Sequence, residues 1–138
     1  MPTSDVRPGR LVVLSDDECW SLLRSRPVGR LAWSGDDGVT ILPVNFAVVD
    51  GSVLLRTTPY SHLSRDCEGS EVAFEVDEVD EEVHTGWSVL VRGRCTREHQ
   101  PTPGPTPWAT GPRVLSLRID ITSVSGRRIL RAPGAAGA

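Results

Sequence analysis

Four stretches of the chain set apolar side chains at every second position, and the polar and glycine residues between them mark where strands turn back. Leu115, Leu117, Ile119 and Ile121 form the cleanest such face. In 71–79, Val72, Phe74 and Val76 point one way and Ala73, Glu75 and Asp77 the other, the pattern of a half-buried strand. Within 85–98, Trp87, Val89 and Val91 share a face opposite Ser88, Leu90 and Arg92, and Gly93 suggests a bulge or bend, as a closing barrel needs. The strand opening at Val39 differs. Leu42, Val44, Phe46 and Val48 lie on one face and Ile41, Pro43, Asn45 and Ala47 on the other, so both sides are largely apolar. Such a strand is expected to be covered on both sides, by a helix or a second subunit. Pro43 removes a ladder donor and Asn45 interrupts an apolar row, so the ladder is expected to break there, where a ligand ring could reach the backbone.

Asp50-Gly51 accepts positive φ at both central positions and closes a two-residue hairpin onto a strand through Val53, Leu54 and Leu55. Another strand is expected at 28–34, reversing through Gly35-Asp36-Asp37-Gly38. A first helix is expected over 15–26, where Ser15 and Glu18 make a capping box ahead of a stripe of Cys19, Leu22 and Leu23, with Pro27 ending it. A second, short helix is expected over 60–66, and QPTPGPTP (100–107) reads as an irregular loop. Six strand candidates and two short helices predict a mainly β fold, a six-stranded antiparallel barrel with short flanking helices. It would form one domain over 15–129, after an N-terminal extension (1–14) and before a flexible tail (130–138).

The hairpin's second strand runs into a polar cluster. Arg56, Thr57 and Thr58 end it, Pro59 stops the ladder, and Ser61 and His62 follow. A guanidinium fork, hydroxyls and the N–H groups of a helix start could together hold a phosphate; the same residues would also serve as an ordinary strand end and polar turn. The acidic run Glu75, Asp77, Glu78, Asp80, Glu81 and Glu82 reads as a solvated edge, without the geometry of a cation site. His62, His84 and His99 have no metal spacing, and Cys19, Cys67 and Cys95 are an odd, scattered set expected to be buried thiols, with a reactive Cys67 in a polar loop as the outside case. No metal is expected.

Composition narrows the classes further. The 138 residues suffice for a core, and the net charge of −3 argues against general nucleic-acid binding. All 15 basic residues are Arg, which excludes a lysine Schiff base. No apolar run approaches the roughly 20 residues that span a bilayer, and MPTSDVRPGR lacks a secretory pattern, so a cytoplasmic protein without membrane contact is expected.

In order, VGRLAW, LPVNFAVVDG, LLRTTPYSHL, EVAFEVDEVD and TGWSVLVRGR resemble the FMN-binding split β-barrel family, pyridoxamine 5′-phosphate oxidase-like proteins, and most of all its small flavin-nucleotide-binding branch. The resemblance spans roughly 16–128. It implies a homodimer with FMN in the groove between subunits. On the matching positions, Arg56, Thr57, Thr58, Ser61 and His62, with Leu63, would hold the phosphate; Pro43, Val44, Asn45 and Phe46 would line the flavin ring; Trp87 and Ser88 would approach it, often across the dimer. Related proteins commonly carry Arg or Lys where this chain has His62-Leu63, so FMN is expected to bind more weakly or with more pH dependence. Trp108 and Arg113 could belong to a substrate mouth. The activity implied is that of an FMN-dependent oxidoreductase acting on a small molecule, with a non-catalytic flavin carrier or a deazaflavin-dependent reductase as alternatives. Pyridoxamine phosphate oxidation itself is not expected, because the chain is short for that enzyme and its C-terminal Arg/His pattern is not evident.

Overall fold

The computed structural model describes residues 8–58, 61–99, 104–108 and 115–131. Its elements are β1 (Arg10–Val13), α1 (Asp16–Arg24), β2 (Val28–Gly35), β3 (Gly38–Val49), β4 (Ser52–Thr57), α2 (His62–Cys67), β5 (Glu71–Asp80), β6 (Thr85–Arg97) and β7 (Leu115–Leu130). All strands pair antiparallel in the order β1-β7-β4-β3-β2-β5-β6, and β6 also returns to β7. The six expected strands therefore close into a ring, consistent with a split barrel. Its ladders are shortest between β3 and β4, with four residue pairs, and between β2 and β5, with three.

A seventh strand corrects the six-stranded expectation. Arg10–Val13, inside the stretch read as an extension, pairs with the far end of β7 from Arg10↔Leu130 to Val13↔Arg127. Its four residues carry no apolar alternation; what makes them a strand is the backbone edge that β7 offers, which no local pattern displays. Leu130 closes β7, so it belongs to the barrel; 132–138 lies outside the described residues.

Local chemistry explains the other boundaries. Ser15 Oγ accepts the Glu18 N–H (3.2 Å) while Glu18 Oε1 accepts the Ser15 N–H (3.1 Å), completing the capping box of α1. The helix ends at Arg24, before the expected 26, because Ser25 bonds back to the Leu22 carbonyl through both its N–H and its hydroxyl. Pro27 also keeps its predecessor out of helical geometry. The hairpin has Asp50 at φ 49° and Gly51 at φ 76°, and the β6–β7 register slips between Arg92 and Gly93, both as the sequence predicts. The short helix α2 begins at His62 with Ser61 as its cap, later than expected.

The alternating faces of β5, β6 and β7 point into one core. Val72, Phe74, Val76, Val89, Val91, Leu117 and Ile119 are all buried there. Phe46 meets Phe74 edge to face at 4.8 Å, and Gly29 on β2 must be glycine because a Cβ would collide with the Phe74 ring. From α1, Cys19 and Leu23 are buried in the same core. Within the chain β3 is not covered on both sides, since Ile41 is 61% exposed and Leu42 42%; of the two covers expected, a helix among the described residues does not supply it there. The expected ladder break is a change of partner. β3 pairs with β2 up to Asn45 and with β4 from Phe46 onward. No helix among the described residues is long and apolar enough to cross a membrane.

Candidate functional site

That change of partner opens a cleft. Because β4 joins β3 only from Phe46 onward, the 43–45 segment of β3 faces the end of β4 across open space rather than a ladder. The cleft holds about 440 Å³ and is lined by Pro43, Val44 and Asn45 of β3, Arg56 and Thr57 of β4, and the 61–63 turn into α2. Most of the residues singled out from the sequence thus share one space. Phe46 does not: next to Asn45 on the strand, it points into the core and is 5% exposed. Leu63 is buried beneath the cleft and serves as its apolar floor.

Arg56 is the cation of this site. It is exposed, and among the described residues it forms no ion pair or hydrogen bond. A fork of five donors therefore lies open at the cleft. The hydroxyls behave differently. Ser61 Oγ accepts the Ser64 N–H (3.1 Å), donates to the Thr58 carbonyl (3.0 Å) and lies 2.9 Å from Thr57 Oγ1. One hydroxyl has one proton, so the arrangement that satisfies all three contacts has Thr57 donating to Ser61. Both hydroxyl protons are then committed within the turn, and the expected helix-start contribution shrinks likewise, since α2 is six residues long and its cap already takes one N–H. Thr58 contributes its carbonyl to this turn. His62 is exposed, with Nδ1 3.2 Å from Arg65 Nη2 and 3.8 Å from Asp37 Oδ2. Of the polar groups lining the cleft, the Arg56 guanidinium thus keeps its donors open among the described residues, and the His62 ring shares the same lining.

The cleft's remaining wall comes from the 104–108 segment, most of which the sequence shows only as an irregular loop. Pro105 and Pro107 line it, and the Trp108 N–H donates to Asn45 Oδ1 at 2.8 Å. Gly104 lies so close to Arg56 that a Cβ there would stand 2.8 Å from the guanidinium Nε. The register explains this approach: Thr57 pairs with Leu115, so the chain entering β7 arrives beside the end of β4. The Trp108 side chain is exposed, and Arg113 lies outside the described residues, so the substrate-mouth expectation is not drawn together here.

Trp87 and Ser88 fall elsewhere. They line a larger concavity, about 630 Å³, with Leu11, His84, Arg127 and Ile129. Size does not make it the better anion site, because Asp77, Asp80 and Glu81 also line it against the single Arg127. Within one chain this concavity and the Arg56 cleft have no lining residue in common.

The other titratable groups are structural. Burial pushes the Cys67 and Cys95 thiols up to about 12 and raises Cys19 as well, so all three stay protonated. Cys67 is the buried last residue of α2, which removes the case for a reactive thiol in a polar loop. A hydrogen bond to Asp77, then burial, raises Glu75 to about 7; the same bond holds Asp77 below its ordinary range, with Arg30 Nη1 3.0 Å from Asp77 and 3.6 Å from Glu75. Asp80 accepts the N–H groups of Glu82 and Val83 and so shapes the β5–β6 turn. No metal-binding cluster occurs among the described residues.

A family model described as pyridoxamine 5′-phosphate oxidase matches residues 15–128. The uncharacterized Mycobacterium tuberculosis protein Rv0080 is 33% identical over 131 residues, 87% of this chain and 86% of that protein. Among solved structures, an FAD binding protein from Mycobacterium smegmatis is 32% identical with a TM-score of 0.70, covering 88% of this chain and 100% of its own. A conserved protein of unknown function from Corynebacterium diphtheriae is 31% identical with a TM-score of 0.72, covering 87% and 98%.

Proposed function

The chain belongs to the pyridoxamine 5′-phosphate oxidase family, and from that premise we propose that it is a flavoprotein which holds FMN in the Arg56 cleft and acts as an oxidoreductase on a small molecule. The observation that carries the reading is the guanidinium of Arg56, unpaired among the described residues, at the edge of a cleft walled by Pro43, Val44, Pro105 and Pro107. A free cation beside an apolar wall suits a ligand with a phosphate at one end and a flat ring at the other. Arg56 and His62 would hold the phosphate, the proline-rich walls would keep water from the ring, and Leu63 would close the floor. The bound flavin itself supplies the hydride or electron transfer. This fits a chain whose described thiols are protonated and whose cleft holds no acid–base pair.

The Mycobacterium smegmatis relative supports a second form of the cofactor, since that protein binds FAD. FMN and FAD share the riboflavin phosphate, and the cleft chemistry concerns that shared part. A homodimer completes the proposal. The uncovered Ile41 and Leu42 on β3 offer apolar surface for a second copy, and a partner is what could bring Trp87 and Ser88 to a flavin held by Arg56.

Purified protein tests the reading. A yellow preparation that NAD(P)H bleaches and air recolours is expected, with mass spectrometry of the released ligand giving FMN. A yellow protein inert to reductants contradicts the oxidoreductase half of the proposal and leaves a flavin carrier. Protein that neither carries nor takes up flavin contradicts it altogether.

A further inference from the structure

The side chain of Asn45 is already occupied. Its Oδ1 accepts the Trp108 N–H at 2.8 Å, and its Nδ2 faces the Pro27 carbonyl at 3.4 Å, the same carbonyl that takes the Phe46 N–H. A donor on one side and an acceptor on the other fix which way the amide points. Asn45 therefore ties β3 to the segment 104–108, which walls the cleft.

The other end of that segment meets Arg56. At Gly104 a Cβ would stand 2.8 Å from Nε, 3.2 Å from Nη2 and 3.3 Å from Cζ, so the backbone lies against the guanidinium and an added Cβ would push that side chain aside. Between the two contacts, Pro105 and Pro107 present apolar rings without N–H donors, and Pro105 is buried. A long Arg side chain in water samples many rotamers; a strap laid along it removes some of them.

We infer that 104–108 is a strap that preorganises the anion site, with Asn45 as the positioning residue that anchors it and Gly104 as the residue that confines the Arg56 guanidinium to the cleft. This rests on the reading of the cleft as a flavin phosphate site. It assigns Asn45 a different task from direct contact with the ring. The strap's effect is on the phosphate end, so it governs discrimination between flavins with and without a phosphate.

The test compares wild type, Asn45→Ala, Asn45→Asp and Gly104→Ala by two readouts. The first is hydrogen exchange of the Trp108 backbone amide in protein stripped of flavin, which reports the tie alone. Asn45→Ala should speed that exchange about tenfold or more, whereas Asn45→Asp, which keeps the acceptor, should preserve protection. The second readout is the affinity for FMN relative to riboflavin. Asn45→Ala and Gly104→Ala should each weaken FMN by about tenfold and leave riboflavin within about twofold, narrowing the ratio. General damage to the fold would lower both flavins together. Equal loss for FMN and riboflavin, or an unchanged Trp108 amide in Asn45→Ala, would overturn the inference. If wild type binds neither flavin, the functional reading fails together with the Arg56 coupling, and the amide comparison alone decides whether the strap is anchored as described.

Discussion

The proposed flavin site rests on Arg56, a cation of the cleft that forms no ion pair among the described residues. Replacing it with alanine removes a charge-assisted hydrogen bond to phosphate, which should weaken FMN by about 1.5–3 kcal/mol. Melting temperature should change little, because the side chain is exposed and forms no ion pair or hydrogen bond among the described residues, its close neighbour being the Gly104 backbone. Isothermal titration measures the first quantity, and unaltered FMN affinity would remove Arg56 from the site. Glu75 gives a second prediction at this scale. Its carboxyl, raised from the ordinary 4.5 to about 7 by Asp77 and by burial, holds a proton that the unfolded chain releases. The resulting stabilisation is complete below about 4.5 and is lost as pH rises toward 7. Asp77, held low, works in the opposite sense at more acid pH, where its contribution disappears on protonation. Melting curves from pH 4.5 to 7.5 should show this decline in wild type and a shallower one in Glu75→Gln; equal slopes would contradict the shared proton. The place of Arg56 at the end of an apolar strand was legible in the sequence, because the Asp50-Gly51 turn sets the register of β4. The commitment of the Thr57 and Ser61 hydroxyls was not, because it depends on where α2 starts, and helix starts are poorly fixed by pattern.

The strands were legible wherever one face is buried and the other wet. Leu115, Leu117 and Ile119 alternate in sequence and face the core in the structure. Leu117, fully buried and paired with both Leu55 and Arg97, is the position where that pattern matters most. Leu117→Asp would bury an unpaired carboxylate and should cost more than about 4 kcal/mol, enough to leave the chain unfolded by circular dichroism. A folded Leu117→Asp protein would refute the strand assignment. β1 escaped notice because its stability comes from the edge of β7, more than a hundred residues away in sequence. The 104–108 segment escaped for the same reason. Its prolines and glycine mark a loop, but only the pairing of Thr57 with Leu115 reveals which strand end the loop lies beside.

At the scale of the molecule, the closed ring of six strands is a scaffold, and the proposed flavin cleft sits at one of its two shortest ladders. The four-pair junction between β3 and β4 leaves the first part of β3 free of β4, which makes both the Arg56 cleft and the uncovered apolar surface at Ile41 and Leu42. Trp87 lies on the other concavity, so its expected approach to the flavin requires a second copy of the chain. The family's fold was legible from the order of its motifs; the division of the expected site between two concavities was not, because periodicity says which face a residue takes but not which strands a ring brings together. A crystal structure of the protein with FMN tests the central claim most directly. The account predicts the phosphate within hydrogen-bond distance of the Arg56 guanidinium and the ring against Pro43 and Val44. Flavin bound only in the Trp87 concavity, or an Arg56 cleft left empty at saturating FMN, would contradict it.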